Sequence, residues 1–425
     1  MTARRDFLRW CAAAAVLPPA VVPAAVGPAA ARARALAPPR RPAAQTWAAL
    51  RGEFLLPADV AYFNAATLGA QPRVVLDAVI AHMQHVERDL ADWEYKPEKE
   101  QFYTGYYPER EVREKIARLI NADWTEIALT ENATSGMNII ANGLDHAVGD
   151  EVVLLDDAHS GSRCGWELKD KRAGVYLKRV KVPQSVESTD QLVELYVKAT
   201  TPRTRVWVIE HLTSATGILF PAAELCAIAR ERGILTVVDA AQTVGHLPVD
   251  VRAMDCDALY ASPSKWLMAP RGTGFLYVRA DVLPRVWTTL ACDQWDNYGD
   301  GAFRLMQKGS ANRSLVVGLE RAIDFCAEVG HARIHQRILE LADRFRTGIA
   351  EQRHVRITSP HTAEMRTGMT VFEVAGFSGL ELQDALWARG RVRVRRQSSA
   401  VRLCCHVWNS EAEVDRAIRT VAALA

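Results

Sequence analysis

Ala261-Ser262-Pro263-Ser264-Lys265-Trp266-Leu267-Met268-Ala269-Pro270-Arg271-Gly272-Thr273-Gly274-Phe275-Leu276-Tyr277-Val278 is the stretch on which the reading of the chain turns. It sets one lysine in a loop of small residues, flanks it with hydroxyls, and runs through a Gly-rich turn into an apolar strand. Alone, it describes a surface lysine before a β-turn as well as it describes a nucleophile whose charge is disfavoured by burial. Upstream, Leu235-Thr236-Val237-Val238-Asp239-Ala240-Ala241-Gln242 is an apolar strand ending in a carboxylate. A strand-terminal Asp followed by a loop Lys is the pair that pyridoxal phosphate (PLP) requires. The acid pairs with the pyridinium nitrogen and the lysine holds the aldehyde as an imine.

The two segments VVDAAQ and SPSKWLMAPRGTGFLYV resemble the class V aminotransferase family, in particular its isopenicillin N epimerase-like branch. The likeness runs from about Ala61 onward. It implies a PLP-dependent enzyme of fold type I, a homodimer with a large, mostly parallel α/β domain and a smaller C-terminal α+β domain. Lys265 then carries the imine and acts as acid and base at Cα, Asp239 keeps the ring nitrogen protonated, and Gln242 bonds the phenolic oxygen. Ser262 and Ser264 flank the lysine on the cofactor side. The family's usual loop has a His immediately before the lysine, where this chain has Ser264, whose hydroxyl still suits a phosphate oxygen.

Other segments join this reading in chain order. Asn132-Ala133-Thr134-Ser135-Gly136 opens a helix after the strand Ile127–Thr130. Its hydroxyls serve a helix cap, and the free N–H groups there also suit a phosphate. The resemblance places the phosphate cup at Thr134 and Ser135. His159 follows the strand Glu151–Leu155, in the family's slot for a group stacked on the PLP ring. The strand Val206–Ile209 leads into Glu210-His211-Leu212-Thr213-Ser214, so His211 and Ser214 are expected at the crevice beyond the strand ends. Ser310, in the Gly-rich segment 299–312, matches a residue that reaches the neighbouring subunit's phosphate. Arg402, in Val401–Ser410, matches the arginine that grips a substrate α-carboxylate, and a guanidinium fork suits that group. Asn64, in Ala61–Gly69, belongs to the segment expected at the mouth of the site, as a substrate contact.

The domain plan is a signal over 1–35, a linker and N-terminal segment over 36–60, a large domain over 61–315 and a small one over 316–425. Ala3-Arg4-Arg5-Asp6-Phe7-Leu8-Arg9 before an Ala/Val-rich run resembles a Tat export signal, against the alternative of an amphipathic or disordered tail. It implies passage through the Tat translocase to the periplasm. Pro18, Pro19 and Pro23 interrupt the apolar run, so no stable membrane span is expected. The near-neutral charge of +2 gives no reason to expect a nucleic-acid partner. Arg389–Arg396 alternates with valine and reads first as a strand with one solvated face, second as an anion site. The aromatics Trp93, Tyr95, Phe102, Tyr103, Tyr106 and Tyr107 suit packing, or a lid over an aromatic substrate. The cysteines show no paired CxxC spacing, which indicates neither a zinc site nor a disulfide framework.

The expected chemistry starts at the amino group of a small-molecule amine or amino acid. Transamination, epimerisation, elimination and decarboxylation all remain open on these residues. A desulfurase-type lyase needs a mobile Cys near Thr358–Arg366, where none occurs. A catalytically silent PLP-fold protein is the rival of another class, and intact Asp239, Lys265 and Arg402 argue against it.

Overall fold

The computed structural model describes residues 46–90, 109–183, 185–360 and 362–425. The twin-arginine segment and the aromatic run from Trp93 to Tyr107 lie outside the described residues. After a short strand β1 (Ala61–Tyr62), seven strands form the main sheet: β2 (Ile127–Thr130), β3 (Glu151–Leu155), β4 (Tyr176–Val180), β5 (Thr204–Glu210), β6 (Leu235–Asp239), β7 (Ala258–Ala261) and β8 (Gly274–Val278). Their spatial order is β2-β8-β7-β6-β5-β3-β4. Strand β8 alone runs against its two neighbours. The inner strands are apolar along their length because helices cover both faces of the sheet, as parallel sheets demand. From β3 the chain goes to β4 on one side, then returns to β5, β6 and β7 on the other. The reversal lies between β3 and β5, and ligands bind at the carboxyl ends beside such a reversal.

A second core surrounds β9 (Val355–Ile357), β10 (Met369–Val374), β12 (Arg395–Gln397) and β13 (Ala400–Cys404), in the order β12-β13-β10-β9. Strand β11 (Val392–Arg393) pairs instead with β1, in parallel. Ala61 and Phe63 are buried with Phe372, Val401 and Val414, so this N-terminal stretch belongs to the second core. Helix Arg313–Val329 buries Leu319, Ala322 and Ile323 in the first core. The boundary expected at 315/316 therefore shifts, because these apolar faces pair with sequence-distant partners. The last helix, Glu411–Ala422, starts in the expected box, with Ser410 and Glu413 capping each other's backbone N–H groups.

The run 389–396 is not one strand: residues 389–390 end the helix Gly379–Gly390, Arg391 caps it, and β11 and β12 follow. Val392 and Val394 are buried, while Arg391 and Arg393 lie over the Trp387 ring at 4.0 and 3.8 Å. Of the cysteines, Cys226, Cys256 and Cys326 are buried as expected, and burial pushes the Cys226 and Cys326 thiols up to about 12. Among the described residues, no helix is long and apolar enough to cross a membrane.

Candidate active site

A cavity of about 350 Å³ opens at the carboxyl ends of β5 and β6, and Lys265, Asp239, His159, Thr134, Gln242, Ser262 and Arg402 all line it. The lysine loop leaves β7 at Ala261 and doubles back, with Lys265 N–H donating to Ser262 O at 3.2 Å and Ala269 N–H to Pro263 O at 3.1 Å. Trp266 and Leu267 anchor it in the core. From the other side Gly69 N–H donates to Ser264 O at 2.9 Å. A Cβ on Gly69 would stand 1.9 Å from Lys265 O, so only glycine permits this approach. Lys265 keeps some surface on the cavity, yet burial holds its ammonium below the usual lysine range, against the pull of Asp239. A lysine so placed gives up its proton more readily, as an imine-forming amine must.

Asp239 and Glu210 end neighbouring strands in direct register. Both are buried and line the cavity. Asp239 Oδ1 accepts from Ala241 N–H at 2.8 Å. Burial, then the Asp239 charge, raises Glu210 to about 8, so of this pair Glu210 keeps its proton at neutral pH. Burial raises Asp239 too, opposed by Lys265. Glu210 was not anticipated, although it has the same signature as Asp239: a carboxylate closing an apolar strand at the same sheet edge.

His159 caps the helix Ser160–Ala173 and is held at two points. Its backbone N–H donates to Glu210 Oε1 at 2.6 Å, and its Nδ1 accepts from Gly161 N–H at 3.0 Å. An accepting Nδ1 puts the proton of the neutral ring on Nε2. Burial and then Lys265 lower the ring's pKa, favouring that neutral form. Gly161 is small for a reason, since a Cβ there would meet Thr134 Oγ1 at 2.6 Å.

The helix Ala133–Gly143 presents its start to the cavity. Asn132 caps it by accepting from Ser135 N–H, and Ser262 Oγ accepts from Ala133 N–H at 2.9 Å. Ser262 thus ties the lysine loop to the helix start. Thr134 lines the cavity, whereas Ser135, about 100° further round the helix, lines an adjoining one with Asn138 and Lys308. Arg402 is 3 % exposed. It donates through Nη2 to Thr67 Oγ1 at 2.9 Å and through Nη1 to Ser214 O. Its Nε is enclosed, and the guanidinium also interacts with the Cys404 side chain. Arg395, opposite Arg402 in the β12–β13 register, also lines the cavity, so the basic run supplies one cation to the site after all.

Besides Ser135, four assigned residues stand outside this cavity. His211 does not line the cavity; Glu210, Leu212 and Ser214 do, as alternation along an extended segment dictates. The enclosed His211 Nδ1 has no partner, and burial holds the ring at about 4. Asn64 forms a bridge with Cys404 and has an enclosed, unpartnered Oδ1, leaving Ala66 and Thr67 to face the site. Ser264 meets Gly69 through its carbonyl and is not a lining residue. Ser310 lies in a separate groove with Lys308 and Arg313.

These residues fit PLP. The buried carboxylate Asp239 suits a pyridinium, the enclosed amine of Lys265 an aldehyde, and Thr134 at a helix start a phosphate. The buried Arg402 guanidinium on the cavity wall suits an anion. Fold and site together define a PLP-dependent enzyme of fold type I. The chain belongs to the class V aminotransferase family, whose model, Aminotransferase class-V, matches residues 60–420. It is 30% identical to isopenicillin N epimerase of Streptomyces clavuligerus over 389 residues, 87% of this chain and 96% of the relative. It is 32% identical to isopenicillin N epimerase of Amycolatopsis lactamdurans over 396 residues, 88% of this chain and 97% of that one. Among solved structures, the apo cysteine desulfurase of Thermococcus onnurineus NA1 superposes with a TM-score of 0.77 at 23% identity, covering 92% of this chain and 99% of that one. C-DES, solved as a mutant with glycine covalently linked to its PLP cofactor, gives 0.76 at 22% identity, covering 88% and 98%.

Proposed function

We propose that the protein acts on the amino group or Cα of an amino acid, or of an amino-acid-containing metabolite, in the periplasm, where it tailors a peptide siderophore. The observation that carries the amino-acid reading is Arg402: a buried guanidinium that lines the same cavity as Lys265 and Asp239. Its fork suits an α-carboxylate, whose binding would place the neighbouring amino group within the cavity. Arg395 adds a second positive charge to that wall. PLP, when bound, supplies the electron sink for charge developing at Cα. The protein's part is to hold and move protons. Lys265 Nζ takes and returns the proton at Cα, Asp239 stays ionised beside a cation, and His159 offers a proton at Nε2. Thr67 and Ser214 O orient the Arg402 fork.

Epimerisation is the second reading. Two groups able to carry a proton, Lys265 and His159, line one cavity, and isopenicillin N epimerases are among the relatives. Desulfurase chemistry has less support, because the segment 358–366 contains no cysteine. Incubation with a panel of amines and amino acids in D2O, followed by chiral separation and mass spectrometry, tests the proposal. Deuterium at Cα without loss of nitrogen marks epimerisation, an oxo-acid product marks transamination, and no change in any free amino acid or in a peptide siderophore offered beside them refutes the reading. Export is tested separately by changing Arg4 and Arg5 to Lys and fractionating cells. The expected loss is of periplasmic protein whose mature chain begins near Leu36, and undiminished export counts against the Tat route.

A further inference from the structure

We propose that Trp266, the residue after the cofactor lysine, is a positioning residue that locks the Gln242 side-chain amide with its NH2 end toward the cavity. The inference rests on the PLP reading above. Trp266 Nε1–H donates to Gln242 Oε1 at 2.8 Å, and Gln242 Nε2–H donates to Ala66 O at 3.0 Å. An indole nitrogen only donates and a backbone carbonyl only accepts. Both ends of the amide therefore agree on one orientation, and a flip would set N–H against N–H and oxygen against oxygen. One hydrogen of Nε2 goes to Ala66, and the other is left for an acceptor in the cavity that Gln242 lines.

The indole itself is held rigidly. Its ring stacks on His246 at 3.7 Å and 9°, and meets His406 at 5.8 Å and 32°. His246 Nε2 accepts from Gly368 N–H at 2.8 Å, so Nδ1 carries the proton it shares with Gln242 O at 3.0 Å. His406 Nδ1 accepts from Val407 N–H at 2.9 Å, so Nε2–H donates to Trp266 O at 3.0 Å. Each imidazole is thus fixed in one neutral tautomer, His246 donating to the main chain of Gln242 and His406 to that of Trp266. Burial, which holds both rings at about 3, works in the same direction. A donor fixed in this way stabilises the cofactor's phenolic oxygen as an anion. Without the indole N–H only the Ala66 contact opposes a flip, and every flipped amide turns Oε1 inward and opposes that anion.

The test is the pH midpoint of the visible absorption band of the PLP-loaded protein. Trp266→Phe keeps an aromatic ring and removes the N–H, and should raise the midpoint by about one pH unit, a roughly tenfold gain in proton affinity. Gln242→Glu keeps an acceptor for Trp266 but removes the NH2, and should raise it at least as far; this variant also serves if Trp266→Phe does not fold. In a Gln242→Ala background, Trp266→Phe should leave the midpoint where Gln242→Ala alone puts it. A midpoint unmoved in both single variants, or an equal shift with and without Gln242, overturns the lock. Absence of any visible band in the wild-type protein incubated with PLP overturns the cofactor reading instead.

Discussion

Glu210→Gln in the cofactor-free protein should be stabilising, by an amount that grows with pH. The substitution is close to isosteric, and the amide oxygen can still accept the His159 N–H now bonded to Oε1. What changes is the proton. Burial and Asp239 raise Glu210 from 4.5 to about 8 in the folded state. An unfolded Glu ionises near its ordinary value, so between these pH values the folded state binds the extra proton. Stability contributed by this group therefore falls as pH rises through that window. Below it both states are protonated and glutamine gains nothing; above it the full cost is present. At about 1.4 kcal/mol per pH unit the ceiling is about 5 kcal/mol, and because Asp239 relaxes with it, about 2–4 kcal/mol is the expected gain at high pH. Urea unfolding of both proteins, at about pH 5 and about pH 8.5, measures it. A difference between the proteins that does not change with pH would refute the reasoning, because Glu210 would then act through packing and not through its charge.

Lys265→Ala should leave a folded protein without covalently held cofactor, and in the wild type borohydride reduction with peptide mapping should place the label on Lys265. Asp239→Asn should lower turnover far more than cofactor occupancy. An early-melting variant, down by about 0.5–2 kcal/mol but with normal turnover per folded molecule, would mark Asp239 as a structural cap. Arg402→Lys should raise KM for carboxylate-bearing substrates about 10- to 100-fold, the worth of a hydrogen bond to a charged group, while amines without a carboxylate should be little affected. Gly69→Ala should destabilise by about 2–4 kcal/mol, visible in thermal melting, because the new Cβ meets a backbone carbonyl that has no side chain to turn aside.

Much of the fold is written locally in the sequence. Apolar runs closing in Leu155, Glu210 and Asp239, helices opened by Asn132 and Ser410, and a loop of small residues around Lys265 are short-range patterns. Strand period, cap chemistry and turn residues act within a few positions, so these elements and the Lys265–Asp239 pair can be read without coordinates. Arg402 and His159 were legible through family resemblance to their segments. What tertiary structure alone decided is which way side chains face and which distant residues meet. Register between β5 and β6 set Glu210 beside Asp239; strand alternation turned His211 away, and helix rotation sent Ser135 to the next cavity. Packing of a segment near the N-terminus onto the lysine loop made Gly69 indispensable and brought Thr67 to Arg402. The contacts of Trp266 with Gln242, His246 and His406 span up to 140 residues. No pattern confined to one segment encodes them, because they arise only when separately formed elements exclude water from a common interior.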